Sequence, residues 1–151
     1  LWNISHLKLH APLAQLHEIS YRAGEKRAVS DGAAKQVREW AETKNAGIAT
    51  EKALAICDFI SRELSRAIDA RAYFNFLAFG GLHHATVVLW TMSELGGQAE
   101  CSVLAKARMC SGFASKIENG DTCSLLMECS NLFKGLSSIG GGSFGTAAEH
   151  L

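Results

Sequence analysis

Residues 72–93 read "AYFNFLAFGGLHHATVVLWTMS", 22 consecutive positions without a formal charge, bounded by Arg71 and Glu94. A run of this length and composition has two physical solutions. It can cross a bilayer, which takes about 20 apolar residues, or it can be a helix apolar on all sides that other helices cover. The run itself separates the two: Asn75, the pair Gly80 and Gly81, and the pair His83 and His84 stand where hydrocarbon penalises polar groups most. The segments around it add a second argument, because they carry apolar stripes that need a partner. A buried core helix from Tyr73 to Met92 is therefore the expectation, with a membrane span at 72–93 as its rival.

Outward from this run the periodicity is helical, with no strand or hairpin signal. Pro12 suits the first turn of a helix to about Tyr21, with Leu13, Leu16 and Ile19 on its apolar side. Ser30 caps a second, in which Ala33, Val37, Trp40 and Ala41 share a face and Gly47 is the stop. Thr50 then reads as the cap of a third, with Ala53, Ile56, Cys57, Ile60 and Leu64 in one stripe and Asp58 pairing with Arg62. Beyond the central run, Ala99, Val103, Ala107, Cys110, Ala114 and Ile117 form a stripe that Gly120 ends. Asp121 can cap a last helix from Thr122, striped by Leu125, Cys129, Leu132, Phe133 and Leu136. The pattern predicts an all-α fold, an irregular bundle of about six or seven helices around a buried central one. Trp90, closing the aliphatic run Val87 to Leu89, is expected to fill the junction between that helix and its neighbours.

Composition limits what such a bundle can do. The length of 151 residues suits one domain over residues 1–151. With 48% hydrophobic and 20% charged residues and one Pro, the chain is neither disordered nor of low complexity. "LWNISHLKLH" at its start lacks the features of a signal peptide, and an opening Leu1 and closing Leu151 read as a piece of a longer protein. The net charge is zero, and neither half is basic: 11 basic and 9 acidic residues lie up to Arg71, then 4 and 6 after it. Phosphate backbones need a basic excess, so direct DNA contact by this segment is excluded as an expectation. Five cysteines, with no C-x-x-C spacing, read as free thiols and offer no structural zinc site.

Three constellations suggest chemistry. Gly140, Gly142 and Gly145 match the spacing of a dinucleotide loop, but a helical stripe precedes them where a strand is required, and only six residues follow Gly145. The stretch reads as a joint. His6 and His10 are spaced to share a helical face, yet no Glu follows His6 and no third ligand is placed, so no metal is expected. His83 and His84 point about 100° apart on a helix, so one is expected to meet a backbone carbonyl and the other a neighbouring helix. Phe76, His83, His84 and Trp90 are the residues singled out as core or effector contacts. No catalytic or cofactor-binding residue emerges, since no cysteine carries a local nucleophile signature.

"LKLHAPLAQLHEISYRAG" (7–24) and "ALAICDFISRELSRAIDARAYFNFLAFGGLHHATVVLWTM" (53–92) resemble the regulatory region of fungal transcription factors, which follows a zinc binuclear cluster or zinc fingers. In that family a Leu-His-Ala-Pro-Leu segment, here Leu9 to Leu13, precedes a helical hairpin. An aromatic-rich helix then carries His-Ala, an aliphatic run and Trp, matched by His84, Ala85, Val87, Val88, Leu89 and Trp90. The resemblance implies a non-enzymatic, all-helical domain in the nucleus that tunes RNA polymerase II transcription through protein partners or a metabolite. It places the zinc, and the DNA contact, in a module outside this segment. Where the family often has an aromatic anchor in its last helices, this chain has Ile139 followed by three glycines. A membrane fragment, and a helical small-molecule binder or enzyme using His83, His84 and nearby cysteines, are the alternatives.

The charge balance generates one prediction directly. The chain alone should show no salt-sensitive, sequence-selective binding to duplex DNA in a fluorescence-anisotropy titration. Sub-micromolar specific binding at physiological salt contradicts it.

Overall fold

The computed structural model describes residues 2–65, 76–95 and 122–139. They form α1 (Trp2–His10), α2 (Leu13–Gly24), α3 (Asp31–Ala41), α4 (Lys44–Leu64), α5 (Phe76–Leu95) and α6 (Thr122–Ile139), with no strand among the described residues. The fold is all-α, as the periodicity predicts. The stripe at 99–117, Gly120, Asp121 and the glycines from 140 to 145 lie outside the described residues.

Helix starts follow local chemistry. Pro12 precedes α2, and its carbonyl accepts the Leu16 N–H at 3.1 Å. Ser30 caps α3, its Oγ accepting the Ala33 N–H at 3.3 Å while Asp31 sits in the first turn, where a carboxylate favours the helix dipole. At α4 the expected boundaries are overturned. Gly47 is not a stop, and Thr50 is not a cap. The helix runs unbroken from Lys44, and Thr43 caps it with Oγ1 accepting the Ala46 N–H at 3.4 Å. The reason is a stripe that continues through the glycine: Ala46, Gly47, Ala49, Thr50, Ala53 and Leu54 are all buried. That burial outweighs the roughly 1 kcal/mol propensity deficit of a helical Gly. Thr50 avoids a stranded hydroxyl by donating to the Ala46 carbonyl at 2.8 Å. Arg62 reaches Asp58 through the backbone, its Nε donating to the Asp58 carbonyl at 3.3 Å.

α5 touches each of the other five helices. Leu82, Ala85, Val88 and Leu89 are fully buried, and Val87 and Met92 nearly so. Its hydroxyls are satisfied within reach of their own residues: Thr86 Oγ1 donates to the Leu82 carbonyl and Thr91 Oγ1 to the Val87 carbonyl, both at 2.9 Å. Ser93 Oγ meets Thr122 Oγ1 of α6 at 2.9 Å. Among the described residues no helix is long and apolar enough to cross a membrane. α6 buries Leu125, Cys129, Leu132 and Leu136, with Phe133 half-buried, which is the stripe its spacing predicts.

Two glycines allow helices to approach closely. A Cβ built on Gly81 of α5 would lie 2.7 Å from Ile4 Cδ1 of α1, so the missing side chain is the socket into which Ile4 fits. Gly135 of α6 receives Leu64 of α4 in the same way, with Cδ1 at 2.8 Å from the Cβ position. The Cys57 and Cys129 thiols meet where α4 faces α6, and both are buried. The hydrogen bond to Cys129, together with burial, pushes the Cys57 thiol well above its ordinary range, which keeps it an inert core group.

Leu89 and Trp90 divide the labour expected of Trp90 alone: Leu89 is fully buried, whereas Trp90 is half-buried. Leu89→Ala should therefore lower stability by about 2 to 5 kcal/mol, and Trp90→Ala by less than the roughly 3 to 5 kcal/mol of a fully buried aromatic. Urea denaturation of the two variants measures both. An unchanged midpoint for Leu89→Ala would mean that α5 is uncovered on that side.

Candidate functional site

The site is built on the turn between α1 and α2. Leu7 is fully buried and anchors α1, and the Ala11 N–H donates to its carbonyl at 2.9 Å, closing the helix. The carbonyl of His10 is left free by the helix end. Trp40 of α3 satisfies it, its Nε1 donating at 2.8 Å, and the His10 ring Nδ1 meets Asn45 Oδ1 of α4 at 3.1 Å. Ala11 is buried beneath. The turn is thus fastened to two other helices, and α2 leaves it in a fixed direction.

That direction brings His17 of α2 against α5. His17 Nε2 lies 2.9 Å from His84 Nδ1, one ring donating its N–H and the other accepting. The His17 ring also stacks on His83, with centroids 4.7 Å apart and planes 18° from parallel. Sequence spacing alone expected His83 and His84 to diverge toward a carbonyl and a separate helix. Instead both address the same residue, because two side chains about 100° apart on one helix can straddle a third that enters between them. His17 was missed in the sequence, where it appears only as one polar position of an amphipathic helix. Its partner lies 67 positions away, and nothing local announces such a pairing.

All three rings are half-buried. Burial holds His83 below the usual histidine value, and burial followed by the charge of His83 does the same for His17. His84 is pushed furthest, down to about 4, by burial first and then by His17, Lys8 and His83. Among the described residues no carboxylate offsets these cationic influences on His84. Glu18, next to His17, is engaged by Arg22 at 3.1 Å. The cluster is consequently neutral at pH 7, held by one shared N–H and ring contact.

Of the other residues singled out in the sequence, Phe76 opens α5, but its side chain lies outside those described, and Trp90 stands nearly two turns beyond His84 on the same helix. His6 and His10 do share a face of α1, their rings 5.9 Å apart, with Trp2 against His6 at 4.2 Å. Among the described residues no group of three or more His, Cys, Asp or Glu is placed to hold a metal ion. Comparison with known proteins finds no family, no curated protein and no solved structure that matches this chain.

The cluster makes stability depend on pH, and the sign follows from the depressed value. Above the ordinary histidine value of 6.5 both folded and unfolded His84 are neutral, and the cluster contributes fully. As pH falls from 6.5 toward about 4 the unfolded chain takes up the proton first, and stability is lost across that window. Denaturation midpoints measured on either side of pH 6 should fall with acid in the parent and fall less in His84→Gln, which keeps a neutral hydrogen-bonding group. Equal slopes would remove His84 from the effect.

Proposed function

We propose that this chain is the regulatory region of a fungal RNA polymerase II transcription factor. In this reading it is a nuclear domain that contacts partners or an effector through its helices, while a zinc-bearing module outside the segment contacts DNA. The observation that carries the proposal is a coincidence of sequence and space. The resemblance rests on two stretches far apart in the chain, and they are in contact: His17 of the first bonds His84 and stacks on His83 of the second. The Leu9 to Leu13 segment lies at the turn that aims α2 at α5, between the bonds from Trp40 and Asn45. The lack of a large basic excess in either half supports a role away from the phosphate backbone.

The test joins the chain to an unrelated DNA-binding module and reads a reporter gene in fungal cells. Output should differ from that of the module alone, and Leu89→Ala, which loosens the core, should abolish the difference. An intact, nuclear fusion with no effect on the reporter ends the proposal.

A further inference from the structure

The histidine cluster has free valence. Its one internal hydrogen bond uses His17 Nε2 and His84 Nδ1. Among the described residues, His17 Nδ1, His84 Nε2 and both nitrogens of His83 make no hydrogen bond, and no buried side-chain nitrogen lacks a partner. Those nitrogens are therefore not sealed from solvent. Two helices thus bring three half-buried imidazoles together with nitrogens left over from the one internal bond, and the third contribution, from α1, is the charge of Lys8 acting on His84.

What such a group would bind is decided by its sign. Each neutral imidazole has one N–H, of which one in the pair His17 and His84 is spent on the internal bond; each protonation adds a donor, and Lys8 adds a fixed positive charge. A metal cation would meet Lys8 as a like charge, and the described residues assemble no group fit for a metal. An anion meets donors and a favourable field. Its charge also removes the obstacle to protonation, since the influences on His84 from α1, from α2 and from its own helix are Lys8, His17 and His83, all cationic or neutral.

We propose that His17, His83 and His84 form a binding site for a small oxyanion, the carboxylate or phosphate group of a metabolite, taken up together with a proton. As an effector site it rests on the regulatory reading above; as a binding site it stands alone. Binding would tie α1, α2 and α5 through one ligand, at the contact where the two distant stretches of the chain meet.

Calorimetric titration of the full chain with inorganic phosphate and with citrate, against sodium chloride at matched ionic strength, tests this on both sides of the ordinary histidine range. Affinity should rise as pH falls, by up to about tenfold per pH unit, the limit for uptake of one proton. His83→Gln and His84→Gln should weaken binding and flatten its pH dependence, and Lys8→Gln should weaken it at every pH. Circular dichroism confirms that each variant is folded. Equal heats from chloride, or variants that bind as the parent does, overturn the proposal. So does tight binding of zinc with both oxyanions inert, which would reassign the cluster to a metal. If the reporter responds to the parent chain but neither phosphate nor citrate binds, the anion site fails and the regulatory reading stands. Oxyanion binding by a chain without effect on the reporter does the reverse.

Discussion

α5 must be covered, and the positions of the other described helices answer that requirement. A helix with Leu82, Ala85, Val88 and Leu89 fully buried and Val87 and Met92 nearly so needs its neighbours along that face, while Leu77 stays exposed and His83, His84 and Trp90 are half-buried. At roughly 25 cal/mol per Å² of apolar surface, its burial is a leading contribution to folding. The uncharged run also forbids charged anchors along it, so position along the helix is set by shape. Ile4 in the socket at Gly81 fixes α1, and the ladder of small residues on α4 lets that helix lie close. The hydroxyls of Thr86 and Thr91 bond back to their own helix and leave the surface effectively apolar.

Polar contacts supply what shape cannot, which is direction. The Trp40 bond to the His10 carbonyl and the Asn45 bond to the His10 ring fasten the turn from which α2 departs. Leu16 of α2 is then fully buried, and His17 beside it arrives between His83 and His84. A hydrophobic contact would tolerate a slip along the helix; a ring bonded on one side and stacked on another does not. The histidines therefore set register for α2 on α5 while retaining nitrogens outside that bond.

Periodicity shows what repeats within a helix and is silent on what meets across the fold. The α6 stripe, the Ser30 cap and the helix within the 72–93 run were legible because each is a pattern of one short segment, whereas that helix is buried along one face and not all round, with Leu77 exposed. Gly47 and Thr50 misled for the same reason: locally they are a stop and a cap, and only the continuous buried face of α4 overrides them. α1 was hardly legible, since Leu7 is its single buried residue. His83 and His84 stood out as polar groups in an apolar run, but His17 did not. A polar residue on an amphipathic helix is the commonest kind of position, and its meaning came from a partner on another helix.

The wedge of Ile4 against Gly81 has a consequence for the order of assembly. During synthesis, at about 5 to 20 residues per second, α1 leaves the ribosome seconds before its socket exists. In that interval α1 can already pack on α4 and be fastened by Trp40 and Asn45, but the Gly81 socket for Ile4 and the histidine contact of α2 are missing. The closing event is a long-range one, when the stretch around Gly81 emerges and packs onto α1, α2 and α4. Topologies of that kind make folding slower than an ordinary up-and-down bundle, because a large loop must close before its contacts give any return. The contact of Ile4 with Gly81 is thus among the last to lock.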